Sequence, residues 1–232
     1  MKKFLITCFL IAGSISMGLG SNDFDNDLSL FRKKVFSLCA QLQEPNVKLN
    51  KVMLDQVDQI ILAWGSISSK YKNNPPLPYS NDPAWALYFD EAKDNFMLMR
   101  ENVAKGNIKR AVQFCGSNCM LFVKMHKING NVGLADMMFD LRSSIKMIVS
   151  MANAGNWNGV DNQINQCDTI MKGLQAQAKN HNNDSAQQDI VKEIVILWDK
   201  FKSKIQSHDK QSVKEGLVVF LKQYNQLYYE VL

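Results

Sequence analysis

Histidine is scarce in this sequence. Its 232 residues include only three, His126, His181 and His208. The last two fall at helix ends or in loops, so a single histidine is left for imidazole chemistry inside a fold. H-E-x-x-H, G-x-S-x-G, a phosphate-cradling glycine loop and a Ser-His-Asp spacing are all missing. Carboxylates are dispersed over solvated positions, and none recurs on a core face as a di-iron site requires. The chain is therefore expected not to be an enzyme. Proline is confined as well. Four of the five prolines lie between Pro75 and Pro83, which marks one real loop. No segment alternates as a strand does. Beyond the N-terminus no run approaches the ~20 apolar residues of a membrane span, so no membrane insertion of the mature chain is expected. Charge of one sign is not massed either. The net charge is +5, and removal of Lys2 and Lys3 leaves +3, with lysines scattered among acids. That argues against a nucleic-acid partner.

What is there begins with Met1 to Gly20, which reads as a secretory signal. Lys2 and Lys3 form the charged head, Phe4 to Ala12 is a short apolar run, and Gly18-Leu19-Gly20 before Ser21 suits cleavage. The mature chain is expected to be exported, periplasmic or secreted. Cys8 lies inside the apolar run, too early for a lipidation site. Cys39, Cys115, Cys119 and Cys167 remain. An oxidising compartment permits them to pair, but this is not the dense framework of a small disulfide scaffold.

Apolar residues recur at steps of three and four along most of the chain, so the expected class is all-α. The first helix is expected over about Asp23 to Glu44, the second over about Val47 to Lys72. The third starts near Asp82-Pro83 and runs to Gly106. The fourth begins at Asn107, a good N-cap, and carries Ile108, Val112, Cys115, Cys119, Phe122 and His126 on one line. After Asn129-Gly130-Asn131 the pattern repeats, and Gly155-Asn156 repeats the Gly106-Asn107 break. Four more helices are expected, from about Gly133, Trp157, Ser185 and beyond Asp209.

A shift of 102 positions lays Phe96, Met99 and Val103 on Trp198, Phe201 and Ile205. It also lays Phe122, Met125 and His126 on Tyr224, Leu227 and Tyr228. Eight helices with short connections predict two tandem antiparallel four-helix bundles, residues 21–129 and 130–232, after the signal segment 1–20. The alternative is one elongated helical domain.

The first half resembles the four-helix cytochromes of the cytochrome c′ type (class II cytochromes c). The resemblance runs over Phe31-Arg32, Ala63-Trp64, Pro83-Ala84-Trp85 and Gly106-Asn107. Where that family has C-x-x-C-H, this sequence has Phe122-Val123-Lys124-Met125-His126. The histidine is kept and both haem-attaching cysteines are gone. Covalent haem is therefore excluded on this helix. The resemblance implies haem held non-covalently through His126 as axial and metal ligand, with Arg32, Phe122, Met125 and Trp85 around it. Arg32 and Arg100 would meet the propionates. Asp23 to Glu44 holds no Met or His to serve as a second ligand.

Each of these residues also has a plainer reading. His126 reads more simply as a buried histidine satisfied by a neighbour, and Arg32 and Arg100 as surface arginines. Met97, Met99, Met120 and Met125 near the stripe suit Cu(I), or simply fill core. The residues favour an exported binding or scaffold protein without a resident cofactor, its partner a protein or small molecule that the sequence does not name. The alternative is a haem-binding electron-transfer or gas-binding protein using His126. In an up-down bundle the first and fourth helices are antiparallel neighbours. Cys39, near the end of one, then reaches the depth of Cys115 in the other. A Cys39–Cys115 disulfide is sterically open, with Cys119 the less favoured partner. The alternative is four small buried apolar residues.

Overall fold

In a computed structural model, residues 21–44, 47, 51–180 and 185–232 are described. The expected signal segment, Pro45 and His181 lie outside the described residues. Eight α-helices follow one another: α1 (Ser21–Leu42), α2 (Lys51–Tyr71), α3 (Trp85–Ala104), α4 (Ile108–Ile128), α5 (Leu134–Asn153), α6 (Trp157–Asn180), α7 (Ser185–Ile205) and α8 (Lys210–Val231). Among the described residues there is no strand, and no helix is long and apolar enough to cross a membrane.

The helices form because their apolar residues fall on one face. In α1 the buried line is Phe24, Leu28, Phe31, Val35, Leu38 and Leu42, stepping by four and three. Their ends are set by local chemistry. The Asn107 side chain caps α4 by accepting from the Arg110 backbone N–H at 3.3 Å. Asp209 caps α8, accepting from Ser212 at 2.7 Å. Gly106 and Gly155 each close a helix with φ of +75° and +74°, a backbone that a side chain would strain.

The loop after α2 departs from expectation. Tyr79–Asn81 forms a 3-10 turn, and α3 begins at Trp85 rather than at Asp82-Pro83. The reason is Tyr79. Its ring is fully buried against Phe24 and Trp85, with centroids 5.2 and 4.9 Å away, which draws the loop inward. Asp82 caps the turn instead, accepting from the Ala84 N–H at 2.9 Å.

Helices α1 to α4 close one ring, each touching its chain neighbours, with α1 against α4. Helices α5 to α8 close a second ring in the same way. Short connections make the neighbours antiparallel, so these are two tandem four-helix bundles. Each has its own buried cluster. Their lines of buried core residues match in spacing. Met53, Val57, Ile60, Trp64, Ile67 and Tyr71 of α2 correspond, at equal spacing, to Val160, Ile164, Cys167, Met171, Leu174 and Ala178 of α6. The α1 line corresponds likewise to Leu134, Met138, Leu141, Ile145, Ile148 and Ala152 of α5. Arg32 and Arg142 therefore hold equivalent places. Cys39 and Cys115 are joined by a disulfide that ties α1 to α4, with Cα atoms 6.1 Å apart. Cys119 and Cys167 are free.

Candidate functional site

His126 sits in the last turn of α4, 7 % exposed, where its stripe leaves the first bundle's core and meets α5. Asp136 lies in the first turn of α5 and is 1 % exposed. Its Oδ2 accepts from the His126 Nδ1–H at 2.6 Å and from the Gly133 backbone N–H at 3.0 Å. Its Oδ1 accepts from the Arg32 guanidinium of α1 at 2.7 Å. Arg32 also donates to the Tyr228 hydroxyl of α8 at 3.2 Å. Four helices, two from each bundle, thus meet at one buried carboxylate.

Electrostatics hold the group ionised. Burial alone would push the Asp136 carboxyl up, but the His126 hydrogen bond and the Arg32 charge outweigh it, so it lies below the usual carboxylate range. An ionised carboxylate only accepts, so the His126 proton facing it is on Nδ1. In the neutral ring Nε2 is then the bare acceptor. That Nε2 is buried with no hydrogen-bond partner. Asp25 Oδ1 lies 4.0 Å away, beyond hydrogen-bond reach. Asp25 is engaged elsewhere, accepting from the Tyr79 hydroxyl at 2.7 Å and from Asn131 Nδ2 at 2.9 Å. A cleft of about 370 Å³ opens here, lined by Asp25, Ser29, Arg32, His126, Asp136 and Gln177 among others.

The Asp136–His126 pair has the carboxylate–imidazole arrangement that orients the histidine in a catalytic triad. Ser29 shares the cleft but makes no hydrogen bond to Nε2, so the pair is not extended to a nucleophile. With Arg32 on the same carboxylate, the pair acts as a polar rivet between the bundles.

The structure brings His126 and Arg32 together. It does not bring Phe122, Met125 or Trp85 to them. Phe122 is buried in the first core between Phe31 and Trp64, with centroids 6.2 and 5.4 Å away. Trp85 packs on Phe24 at 5.0 Å and donates its Nε1–H to the Tyr71 carbonyl at 2.9 Å. Met125 is 1 % exposed in the same core. None of the three lines the cleft at His126. The residues therefore do not fit a haem held by His126. The side chains that would enclose the ring are spent on one another, and the cleft beside His126 is lined largely by charged and amide groups, with Leu134, Ala135, Val231 and Leu232 the apolar part of its wall. Arg100 lies elsewhere, paired through Nε with Asp58 at 2.5 Å. The methionines of the copper reading diverge: Met97 and Met120 are 47 % and 60 % exposed, while Met99 and Met125 are buried. Among the described residues no cluster of three His, Cys, Asp or Glu side chains could hold a metal.

Sequence reasoning missed Asp136, Asp25 and Tyr79. Asp136 carried a usable signal, since Gly133-Leu134-Ala135-Asp136 spells an N-terminal helix cap, and its Oδ2 does return to the Gly133 N–H. Tyr228 was marked by the internal repeat as the counterpart of His126.

No family model, curated protein or solved structure matches the chain. What defines the protein is its architecture, a tandem four-helix-bundle protein with a buried polar joint between its halves.

Proposed function

We propose that this is an exported binding or scaffold protein without enzymatic activity, which kept a cytochrome c′-like bundle and dispensed with its cofactor. The observation that carries this reading is the use made of His126. Its Nδ1 is tied to a buried Asp136 that also holds Arg32 and Gly133, so the histidine serves the joint between bundles. The filled aromatic core of the first bundle points the same way. Export is supported by the Met1–Gly20 sequence and by the Cys39–Cys115 disulfide, which suits an oxidising compartment.

Haem titration of the purified protein, followed by visible spectroscopy, tests the reading. The expected result is no protein-bound Soret band. A stoichiometric band that vanishes in His126→Ala would replace this reading with that of a haem carrier.

A further inference from the structure

A second cavity lies between the bundles, deeper along α1 and α5 than the polar joint. Its volume is about 250 Å³, and α1, α4, α5 and α8 all contribute to its wall. Phe36, Phe139 and Val112 supply apolar surface, and the Cys39–Cys115 disulfide lies against it. Arg142 and Lys146, one helical turn apart on α5, supply positive charge. Neither has a carboxylate partner among the described residues. The Arg142 guanidinium lies over the Phe36 ring at 6.0 Å. Two polar atoms of the wall, Arg142 Nε and Asn225 Oδ1, are buried without any hydrogen-bond partner. The Arg142 N–H lacks an acceptor, which a carboxylate would supply, whereas the Asn225 oxygen needs a donor such as water.

The internal repeat sharpens the point. Arg142 is the counterpart of Arg32, since Phe31-Arg32 of α1 matches Leu141-Arg142 of α5. Arg32 is paired through Nη1 with the Asp136 carboxylate at 2.7 Å, although its Nε, like that of Arg142, has no hydrogen-bond partner. Arg142 has no such carboxylate and faces the cavity instead. We propose that this cavity binds a small monocarboxylate with an apolar or aromatic body. Its acid group would sit on Arg142 and Lys146, and its body against Phe36 and Phe139.

Other charges at the site agree with this. Burial pushes the Cys119 thiol and the Tyr228 phenol up, so neither brings negative charge to the wall. Burial and the Arg142 charge push Lys146 down to about 8, the mark of a cation lacking its anion. Glu44 is the one carboxylate lining the cavity. It is exposed and pairs with neither cation. A planar guanidinium favours a carboxylate, which it can bind through two hydrogen bonds. The volume lies below the ~300–1,000 Å³ of drug-sized pockets, so the ligand is small.

The assignment rests on the binding-protein reading only in naming what is bound. Isothermal titration of the oxidised protein with sodium benzoate and sodium hexanoate, at pH 7 and low salt, tests it. One-to-one binding is expected, weakened at least tenfold in Arg142→Gln and in Lys146→Gln. Most of the Lys146 side chain is exposed and only its ammonium is partly buried at the cavity, so its variant keeps the fold, which circular dichroism would verify. No heat with either carboxylate, or equal affinity in Lys146→Gln, would overturn the assignment. Inorganic phosphate is the parallel probe. Phosphate binding as tight as benzoate would overturn the apolar body. A haem band with carboxylate binding intact would sink the scaffold reading and leave this one standing.

Discussion

His126 and Tyr228 hold the same place in α4 and α8, near the end of each bundle's last helix, and both reach the buried Arg32–Asp136 pair. His126 donates to Asp136 at 2.6 Å, and Tyr228 accepts from Arg32 at 3.2 Å. Equivalent positions of the two halves thus meet through one ion pair, and four helices are held by a single network. Such a pair contributes little net energy against a well-packed apolar substitute, but losing one member leaves the other buried and uncompensated.

Asp136→Asn is therefore expected to destabilise the protein by about 3–5 kcal/mol, since Arg32 stays buried without its counter-charge. His126→Ala removes one hydrogen bond to the same carboxylate and should cost about 1–3 kcal/mol. Urea unfolding followed at 222 nm compares them. Equal, negligible effects would show that the joint is not buried.

The acid limb of stability follows from the same carboxylate. Asp136 is held below its ordinary value of 3.8 in the folded chain. A depressed carboxyl contributes stability that is present above its unfolded pKa and lost as pH falls through the folded one. Stability should therefore drop below about pH 4, and Asp136→Asn should flatten that part of the profile. A profile of unchanged slope in the variant would remove Asp136 from the account.

The basic cavity predicts the same sign in a second window at high pH. Lys146 is pushed down from 10.5 to about 8 by burial and the nearby Arg142; Glu44, Cys119 and Tyr228 are the other titratable groups of the wall. Between those values the unfolded chain keeps a proton that the folded chain has lost, so this group adds stability as pH rises from about 8. At neutral pH the charged form costs stability. Lys146→Gln should stabilise, by about 1 kcal/mol at most, because the residue as a whole reaches solvent although its ammonium is partly buried. A lowered Tm at pH 7 would contradict this.

The disulfide closes a long stretch of chain, with a sequence separation of 76. Its removal in Cys39→Ser should cost about 2–4 kcal/mol. Thiol counting on the unfolded, unreduced mature protein should find Cys119 and Cys167 free, with Cys39 and Cys115 unlabelled. Four reactive thiols would refute the bond.

Cutting the chain at Asn129 to Asn131 tests the independence of the halves. Each fragment keeps its own buried cluster, so both should stay helical and unfold cooperatively. Each also exposes half of the polar joint, so both should be less stable than the whole. Two unfolded fragments would mean that neither core suffices alone.

Helices, stripes and breaks were legible in the sequence because they depend on neighbours three and four residues away. The lines through Phe24, Leu28 and Phe31, the repeated Gly-Asn joints and the Asn107 cap are all local. The duplication was partly legible for the same reason, because equal spacing of apolar residues survives changes of side chain. Cys39 and Cys115 could be set at one depth only by assuming an up-down bundle, and the same residues read equally as core. Tertiary structure decided the pairing by bringing α1 onto α4. It also decided what His126 and Arg32 do. Asp136 reads alone as a solvated acid favoured at a helix N-terminus. It becomes the centre of the site because α1, α4 and α8 converge on that turn of α5 and exclude water. No periodicity within one helix reports which faces of different helices will meet, and burial of that meeting point is what turns ordinary polar residues into a network.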